Sequence, residues 1–195
     1  MTPYLRDPAA IYRRSFEIIR AEADFSHLPQ NAEAVAARIV HACGMPEVAA
    51  DLRISPEFVE SAQAALARGK PVLVDAEMVR HGIIGKNLDV ICTLNHPRAR
   101  EIGLATGNTR SAAAVELWRD HLEGAVVVIG NAPTALFAVL ELIDEGAARP
   151  AAIAGFPVGF VGAAESKSEL HASPRGIPYA TLLGRSGGSA MAAAV

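Results

Sequence analysis

Continuous apolar runs that alternate with helical segments are the feature that most constrains how this chain folds. The runs are 71–75 (PVLVD), 90–94 (VICTL), 125–129 (AVVVI) and 151–154 (AAIA). They lack strict apolar–polar alternation, which is typical of strands covered on both faces, as in parallel sheets. Helical patterns at 111–122 and 134–145 lie between successive runs. We therefore predict an α/β fold, a three-layer sandwich in which helices cover both faces of a mostly parallel sheet.

Helices are also predicted before the first of these strands. Asp7 is a suitable N-cap for a helix that begins at Pro8, and apolar residues recur in that helix at helical spacing. A second helix is predicted from about 31 to 43, ending at Gly44, and a third begins at 55–57 and ends before Gly69. With 195 residues, no internal repeat and no long linker, the sequence predicts one domain over residues 1–195.

Charge and cysteine usage exclude several classes of protein. The chain has 18 Lys and Arg residues against 21 Asp and Glu residues, a formal net charge of −3, whereas a general nucleic-acid binder needs a basic excess. Cys43 and Cys92 cannot form a disulfide framework, suit a reducing compartment, and are expected to be buried structural thiols. The N-terminus has no targeting pattern, and no apolar stretch approaches the ~20 residues that span a bilayer. We expect a soluble cytoplasmic protein that binds neither nucleic acid nor membrane.

Small polar residues are concentrated in three turns that follow predicted strands, at 107–111, 130–134 and 155–166. Ligands of open α/β sheets bind beyond the carboxyl ends of the strands, where such turns meet. The turn at 130–134 (GNAPT) has only the first glycine of a dinucleotide fingerprint, and no Walker lysine follows it. Two interpretations stay open: a phosphate at the helix N-terminus, or a strand-to-helix turn in which Asn131 bonds locally.

Further candidate anion ligands lie on the other turns. Asn108, Thr109, Arg110 and Ser111 open a predicted helix, and they suit either a carboxylate cradle or an ordinary N-cap beside a solvated arginine. Lys167 follows Ser166 directly, which makes a Ser–Lys catalytic pair a poor interpretation, because adjacent helical residues point in different directions. The two are more credible as separate donors to an anionic ligand. The segment 184–189 is expected to be a flexible turn or tail.

One of the six histidines stands out by its position. None belongs to an H-E-x-x-H pair or to a zinc-type spacing, so no metal site is predicted. His41 lies in the last turn before the predicted stop at Gly44, where the helix dipole favours the protonated imidazolium. Such a histidine is suited to donate a proton, but the residues alone favour a role in which it merely caps the last carbonyl groups of its helix. Ser15 shares the inward stripe of the first helix with Ile11 and Ile18.

Considered together, these segments resemble the precorrin-8X methylmutase family of corrin biosynthesis, from about residue 5 to the end of the chain. The segments are 6–8 (RDP), 11–16 (IYRRSF), 39–44 (IVHACG), 90–94 (VICTL), 107–113 (GNTRSAA), 128–135 (VIGNAPTA), 157–167 (PVGFVGAAESK) and 187–191 (GGSAM). As an ordered set they are highly specific. One segment departs from the family pattern: after Ile83 the chain has Ile84, Gly85 and Lys86 where family members often carry a hydroxyl residue and then a basic one.

The resemblance implies an isomerase that moves a methyl group from ring carbon 11 to ring carbon 12 of precorrin-8X. The product is hydrogenobyrinic acid or its cobalt counterpart, and the reaction is a proton-assisted 1,5-sigmatropic shift without a cofactor. His41 corresponds to the catalytic histidine of the family, and Ser15 and Arg110 match positions that contact the substrate. We expect further substrate contacts from Asn108, Thr109, Ser111, Asn131 and Lys167, which lie on the turns described above.

The resemblance also implies partners. They are the tetrapyrrole substrate, a tightly held product and a second copy of the chain, since the family forms homodimers with active sites at the subunit interface. Hand-over to neighbouring pathway enzymes is left open. The alternative function is a non-catalytic corrinoid carrier, which would hold the pigment without changing its connectivity. A nucleotide-dependent α/β enzyme is a weaker third alternative because the glycine motif is incomplete.

Overall fold

The computed structural model of the chain describes residues 4–85 and 87–195, so Lys86, and with it part of the segment that departs from the family pattern, lies outside the described residues. Its strands are β1 (Leu52–Ile54), β2 (Val72–Val74), β3 (Val90–Cys92), β4 (Val126–Ile129), β5 (Ala152–Gly155) and β6 (Tyr179–Leu182). Its α-helices are α1 (Pro8–Glu22), α2 (Glu33–Cys43), α3 (Phe58–Ala67), α4 (Glu77–Gly82), α5 (Pro97–Thr106), α6 (Arg110–Val115), α7 (Pro133–Asp144), α8 (Ala163–Ala172) and α9 (Ser189–Ala193). Short 3-10 helices cover Gln30–Ala32, Pro46–Asp51 and Glu116–His121.

The six described strands form one sheet in the order β1-β6-β5-β4-β2-β3. All neighbouring pairs are parallel except β1 and β6, which are antiparallel. From β2 the chain first adds β3 on one side and then β4, β5 and β6 on the other. The order therefore reverses between β2 and β4. In open α/β sheets, a ligand crevice forms at this topological switch point, beyond the carboxyl ends of the strands.

Helices cover both faces of the sheet, which confirms the predicted α/β sandwich. Val72 and Val74 contribute to a buried cluster with α1, α2, α3, α4 and α9 on one face. Leu73 points to the other face, where it joins a second cluster formed with α6, α7 and α8. Because side chains alternate along a strand, an apolar run buried on both faces fills both clusters at once.

Local sequence accounts for the ends of the first two helices. Asp7 is the N-cap of α1, and its carboxylate accepts hydrogen bonds from the backbone N–H groups of Ala9 and Ala10. Gly44 ends α2 in the left-handed region, with φ of 69°, and its N–H donates to the carbonyl of Val40 at 2.8 Å. The predicted stop at Gly44 is confirmed, and it leaves His41 in the last turn of α2.

Several sequence-based boundaries differ from the structure. The third helix begins at Phe58 because residues 55–57 form a turn, closed by a hydrogen bond from Phe58 N to Ser55 O at 3.1 Å. The segment 111–122 divides into α6 and a 3-10 helix, anchored where Trp118 Nε1 donates to Thr93 Oγ1 at 2.8 Å. Within residues 4–85 and 87–195, no helix is long and apolar enough to cross a bilayer.

Candidate active site

His41 is an exposed side chain that is held in place by α1. Its ring stacks on Phe16, with 5.1 Å between ring centroids, and its edge faces the ring of Tyr12 at 6.1 Å. Its Nδ1 atom lies 2.9 Å from Oγ of Ser15, which is within hydrogen-bond distance. Ser15, Phe16 and Tyr12 all lie on α1, so the packing of α1 against α2 fixes the orientation of the imidazole.

The contact with Ser15 determines which ring nitrogen is available to a ligand. Since Nδ1 is engaged by the hydroxyl, Nε2 is the nitrogen without a hydrogen-bond partner among the described residues. Beside the ring lies a shallow pocket of about 170 Å³, lined by Ser15, Ile18, Ile19, Val40, His41 and Gly44. An imidazole fixed through Nδ1 and free at Nε2 can donate or accept a proton at one defined position.

Asn131 lies where β4 meets α7, at the topological switch point. Its side chain is exposed, but its backbone N–H is bound by the carboxylate of Asp75 at 3.0 Å. The same carboxylate accepts from Gly130 N at 2.8 Å and from Ala132 N at 2.7 Å. Burial raises the pKa of Asp75, and these backbone hydrogen bonds oppose that rise. The amides that could have bound a phosphate are therefore already occupied.

The Asn108–Ser111 turn combines a helix cap with an exposed arginine. Thr109 is the N-cap of α6: its Oγ1 accepts from Ala112 N at 3.2 Å and lies 2.8 Å from Oγ1 of Thr134 on α7. Asn108 Oδ1 accepts from Thr109 N at 2.8 Å, and Ser111 is half-buried. Arg110 is exposed and lines a surface groove of about 480 Å³, together with Leu94, Asn95, His96, Pro97, Arg100, Glu101 and Leu104.

Lys167 is not exposed to a ligand, as a hydrogen-bond donor to the substrate would have to be. Its side chain is fully buried in α8, and its ammonium donates a short hydrogen bond to the carbonyl of Ser186. Burial lowers the pKa of Lys167 to about 8, although the nearby charge of Asp51 opposes this. In this structure Lys167 holds the 184–188 turn instead of facing a ligand, which departs from the prediction for this residue.

The Lys167 contact changes the interpretation of the 184–189 segment. Gly188 N donates to Phe156 O at 2.8 Å, and a Cβ at Gly187 would lie 2.5 Å from the carbonyl oxygens of both Phe156 and Pro157. The segment expected to be a flexible tail is thus packed closely against the turn that follows β5. Of the predicted site residues, the structure joins Ser15 to His41, and it joins Thr109 to α7 near Asn131.

Comparison with known proteins relates this geometry to a family. The family profile described as "Precorrin-8X methylmutase" matches residues 10–195. A precorrin-8X methylmutase of Pseudomonas aeruginosa is 56% identical over 198 residues, which covers 100% of this chain and 95% of the relative. The chain belongs to the precorrin-8X methylmutase family. It is therefore an isomerase-type enzyme of cobalamin biosynthesis, as its resemblance implied.

Two further comparisons agree with this assignment. The precorrin-8X methylmutase of a Sinorhizobium species is 55% identical over 195 residues, covering 98% of this chain and 93% of the relative. A crystal structure of the precorrin-8X methylmutase of Thermus thermophilus superposes with a TM-score of 0.83 at 36% identity, covering 95% of this chain and 91% of that one. The predicted family and fold are both confirmed.

Sequence reasoning missed Asp75 and overestimated the burial of the cysteines. Asp75 is the last residue of the run PVLVD, and a carboxylate directly after a buried strand was the available signal. Cys43 and Cys92 are free thiols, but both are half-buried and not fully buried. Burial, together with the nearby Glu77, raises the pKa of the Cys92 thiol to about 11, which disfavours a nucleophilic thiolate.

Proposed function

We propose that this protein moves a methyl group from ring carbon 11 to ring carbon 12 of precorrin-8X, giving hydrogenobyrinic acid, with His41 as the proton donor. One observation carries the proposal: an exposed imidazole is fixed through Nδ1 by Ser15 and has Nε2, which has no hydrogen-bond partner among the described residues, beside a small pocket. Membership in the precorrin-8X methylmutase family supplies the substrate class.

The fixed imidazole supports a proton-assisted shift. In the protonated ring, Nδ1–H donates to Ser15 Oγ and Nε2–H donates to the macrocycle. Protonation withdraws electron density from the conjugated ring, so the bond from the methyl to one carbon breaks as the bond to the neighbouring carbon forms, in a 1,5-sigmatropic sense. Because substrate and product are isomers, the proton returns to Nε2 before the next turnover. His41 thus acts first as a general acid and then as a general base.

Exposed polar residues on the turns suit the acidic fringe of the tetrapyrrole. Arg110 presents a guanidinium that can bind a carboxylate through two parallel hydrogen bonds, and no described carboxylate forms an ion pair with it. Asn131, Asn108 and Ser111 can add hydrogen bonds at the same edge of the fold. Thr109 contributes by holding this turn against α7. Lys167 is left out of the set of direct contacts because its ammonium is buried.

A second copy of the chain completes the site in this proposal. The pocket beside His41 holds about 170 Å³, whereas sites for ligands smaller than a tetrapyrrole commonly occupy ~300–1,000 Å³. Ile11, Tyr12 and Ile18 leave an exposed apolar stripe on α1, next to that pocket. A partner protomer packed against this stripe would both bury it and deepen the cleft, which supports a homodimer with its active sites at the interface.

The cobalt-free compound is the proposed substrate. The two relatives that are 55–56% identical to this chain are both named for precorrin-8X. We also expect the product to stay tightly bound, because the same carboxylate contacts serve substrate and product. A corrinoid carrier remains the second candidate, since a protein that only binds the pigment would need the same exposed polar residues.

The role of His41 is tested by variants assayed with precorrin-8X. In His41→Ala we expect kcat to fall by about 100-fold or more, in line with the loss of a general acid, while hydrogenobyrinic acid still binds. In Ser15→Ala we expect a smaller loss, of about tenfold, because the imidazole stays but its orientation is no longer fixed. Conversion is followed by the change in the absorbance spectrum of the pigment.

His121→Ala is the matched control, because His121 is also an exposed histidine but lies at the end of the 3-10 helix after α6. We expect it to keep full activity. Full turnover by His41→Ala would refute the proposed mechanism. A wild-type protein that binds precorrin-8X but leaves its spectrum unchanged would instead be a carrier.

A further inference from the structure

Asp75 is a buried carboxylate that binds the turn at the topological switch point. It follows β2 directly, and its side chain is 2% exposed. Its two oxygens accept from three consecutive backbone N–H groups of 130–132, at 2.8, 3.0 and 2.7 Å. We call these three N–H groups the amide nest. Since β2 and β4 are neighbours in register, the carboxylate reaches across from one strand end to the next.

The nest has the arrangement that usually binds a ligand anion. Consecutive N–H groups that point into one concavity, at the end of a parallel strand and the start of a helix, form a common phosphate site. In this chain an internal carboxylate occupies the concavity. The structure therefore agrees with the incomplete glycine motif of the turn: a phosphate could bind the amide nest only by displacing the carboxylate of Asp75.

The turn is also packed closely against two helices. A Cβ at Gly130 would lie 2.6 Å from Cγ2 of Val79, 2.8 Å from Cβ of Ala192 and 2.9 Å from Cα of Ser189. Gly130 thus allows α4 and α9 to pack directly against the turn. The turn is thus held both by the hydrogen bonds of Asp75 and by its packing against these helices. The Asn131 side chain remains exposed at its surface.

The carboxylate at this place satisfies three backbone N–H groups, but at a cost in desolvation. Desolvation raises the pKa of Asp75 in spite of its backbone hydrogen bonds, so burying the charge opposes folding. An apolar residue in a shorter turn would avoid this cost. The compensating benefit is geometric: two oxygens with fixed separation define the positions of three successive peptide groups.

We propose that Asp75 is a positioning residue of the active site, which fixes the amide nest and so aims the Asn131 side chain at the substrate. This inference rests on the proposed function, in which Asn131 binds the tetrapyrrole. Asp75 touches no substrate itself, and its effect passes entirely through Asn131. The effects of removing Asp75 and of removing the Asn131 amide must therefore overlap.

The test uses Asp75→Asn, Asn131→Ala and the double variant, in the full-length protein. The asparagine amide keeps the volume but places N–H donors against the N–H groups of the nest. We expect Asp75→Asn to weaken hydrogenobyrinic acid binding and to raise KM by about tenfold, which corresponds to about 1.4 kcal/mol, with a much smaller change in kcat. The double variant should bind no more weakly than the weaker single variant. All assays are made where unfolding curves show every variant to be folded.

Thr181→Val is the matched control, because Thr181 is also fully buried and donates to the Gly155 carbonyl within the same sheet. It should lose stability without losing affinity. As a second measurement, Asp75→Ala is refolded with sodium formate, whose carboxylate can occupy the nest. We expect a saturable rise in the unfolding temperature and in product affinity for Asp75→Ala and no such rise for Thr181→Val.

Three results would overturn the inference. These are unchanged affinity in Asp75→Asn, additive effects of the two substitutions, and failure of both Asp75 variants to fold even with formate, which would make Asp75 a folding residue only. Failure of the wild-type protein to convert precorrin-8X refutes the proposed function instead. Conversion by the wild type with unchanged affinity in Asp75→Asn refutes only the role of Asp75.

Discussion

The burial of Lys167 predicts how the free energy of unfolding changes with pH, in both direction and magnitude. The side chain is fully buried, and its ammonium donates to the carbonyl of Ser186. Burial lowers its pKa from the ordinary 10.5 to about 8. At about 1.4 kcal/mol for each pH unit, this difference corresponds to about 3 kcal/mol between the protonated and neutral states.

The direction of this pH dependence follows from how many protons the folded and unfolded states bind. Between pH 8 and 10.5 the unfolded chain keeps the lysine proton, while the folded chain has released it. The unfolded state therefore binds more protons, and raising the pH through this window increases the free energy of unfolding. Below about pH 8 both states are protonated, so the burial cost is present in full. Above 10.5 both are neutral, and the contribution no longer changes.

Substitution of Lys167 by Met removes the titration while keeping most of the length of the side chain. We expect the difference in unfolding free energy, wild type minus Lys167→Met, to rise by about 2 kcal/mol between pH 7.5 and pH 10. Urea unfolding at several pH values measures it. Ser166→Ala is the control, since Ser166 is the fully buried neighbour and its hydroxyl does not titrate in this range. A Lys167→Met curve that runs parallel to the wild-type curve would refute the argument.

Other variants test the proposed substrate contact of Arg110, the packing of the turn at 184–188 and the proposed dimer interface. In Arg110→Ala, hydrogenobyrinic acid should bind more weakly and with less dependence on salt, as measured by titration at two ionic strengths; wild-type affinity at both would count against a carboxylate contact. Gly187→Ala should destabilise the fold by about 1–3 kcal/mol in calorimetry, because its Cβ would lie 2.5 Å from two carbonyl oxygens. If the proposed homodimer forms through the apolar stripe of α1, Ile18→Asp should sediment as a monomer where the wild type sediments as a dimer, and a variant that remains dimeric would exclude this stripe from the interface.

The central strands were predictable from sequence because they are buried on both faces. The runs at 71–75, 90–94, 125–129 and 151–154 correspond to β2, β3, β4 and β5. β1 and β6 were missed for a physical reason. β1 is a three-residue edge strand that contains Arg53, and its antiparallel pairing with β6 depends on residues far apart in the chain. A three-residue strand is too short to show a hydrophobic pattern in the sequence, and pairing between distant segments leaves no pattern either.

The position of His41, the proposed proton donor, was also predictable, because it depends on local features. Gly44 ends α2 in the left-handed region, and this end determines where His41 lies. The predicted inward stripe of α1 was wrong for Ile11 and Ile18, which are exposed, because Phe16 and Ile19 are the buried residues of this helix. Ser15 is half-buried and does face α2. The 2.9 Å contact between the two side chains needs the packing of both helices, which the sequence does not specify.

Lys167 and Asp75 show where sequence reasoning reaches its limit. A lysine after a glycine-rich turn has the composition of an anion ligand, and the turn at 130–132 has that of a phosphate site. The structure uses both internally: Lys167 binds a backbone carbonyl, and the carboxylate of Asp75 binds the amide nest. Among the predicted site residues, the polar groups left for a ligand therefore include the oriented imidazole of His41, the exposed guanidinium of Arg110 and the exposed amide of Asn131. In the proposed function this set protonates a large acidic pigment and binds its edge, whereas the occupied amide nest offers no preformed site for a phosphate.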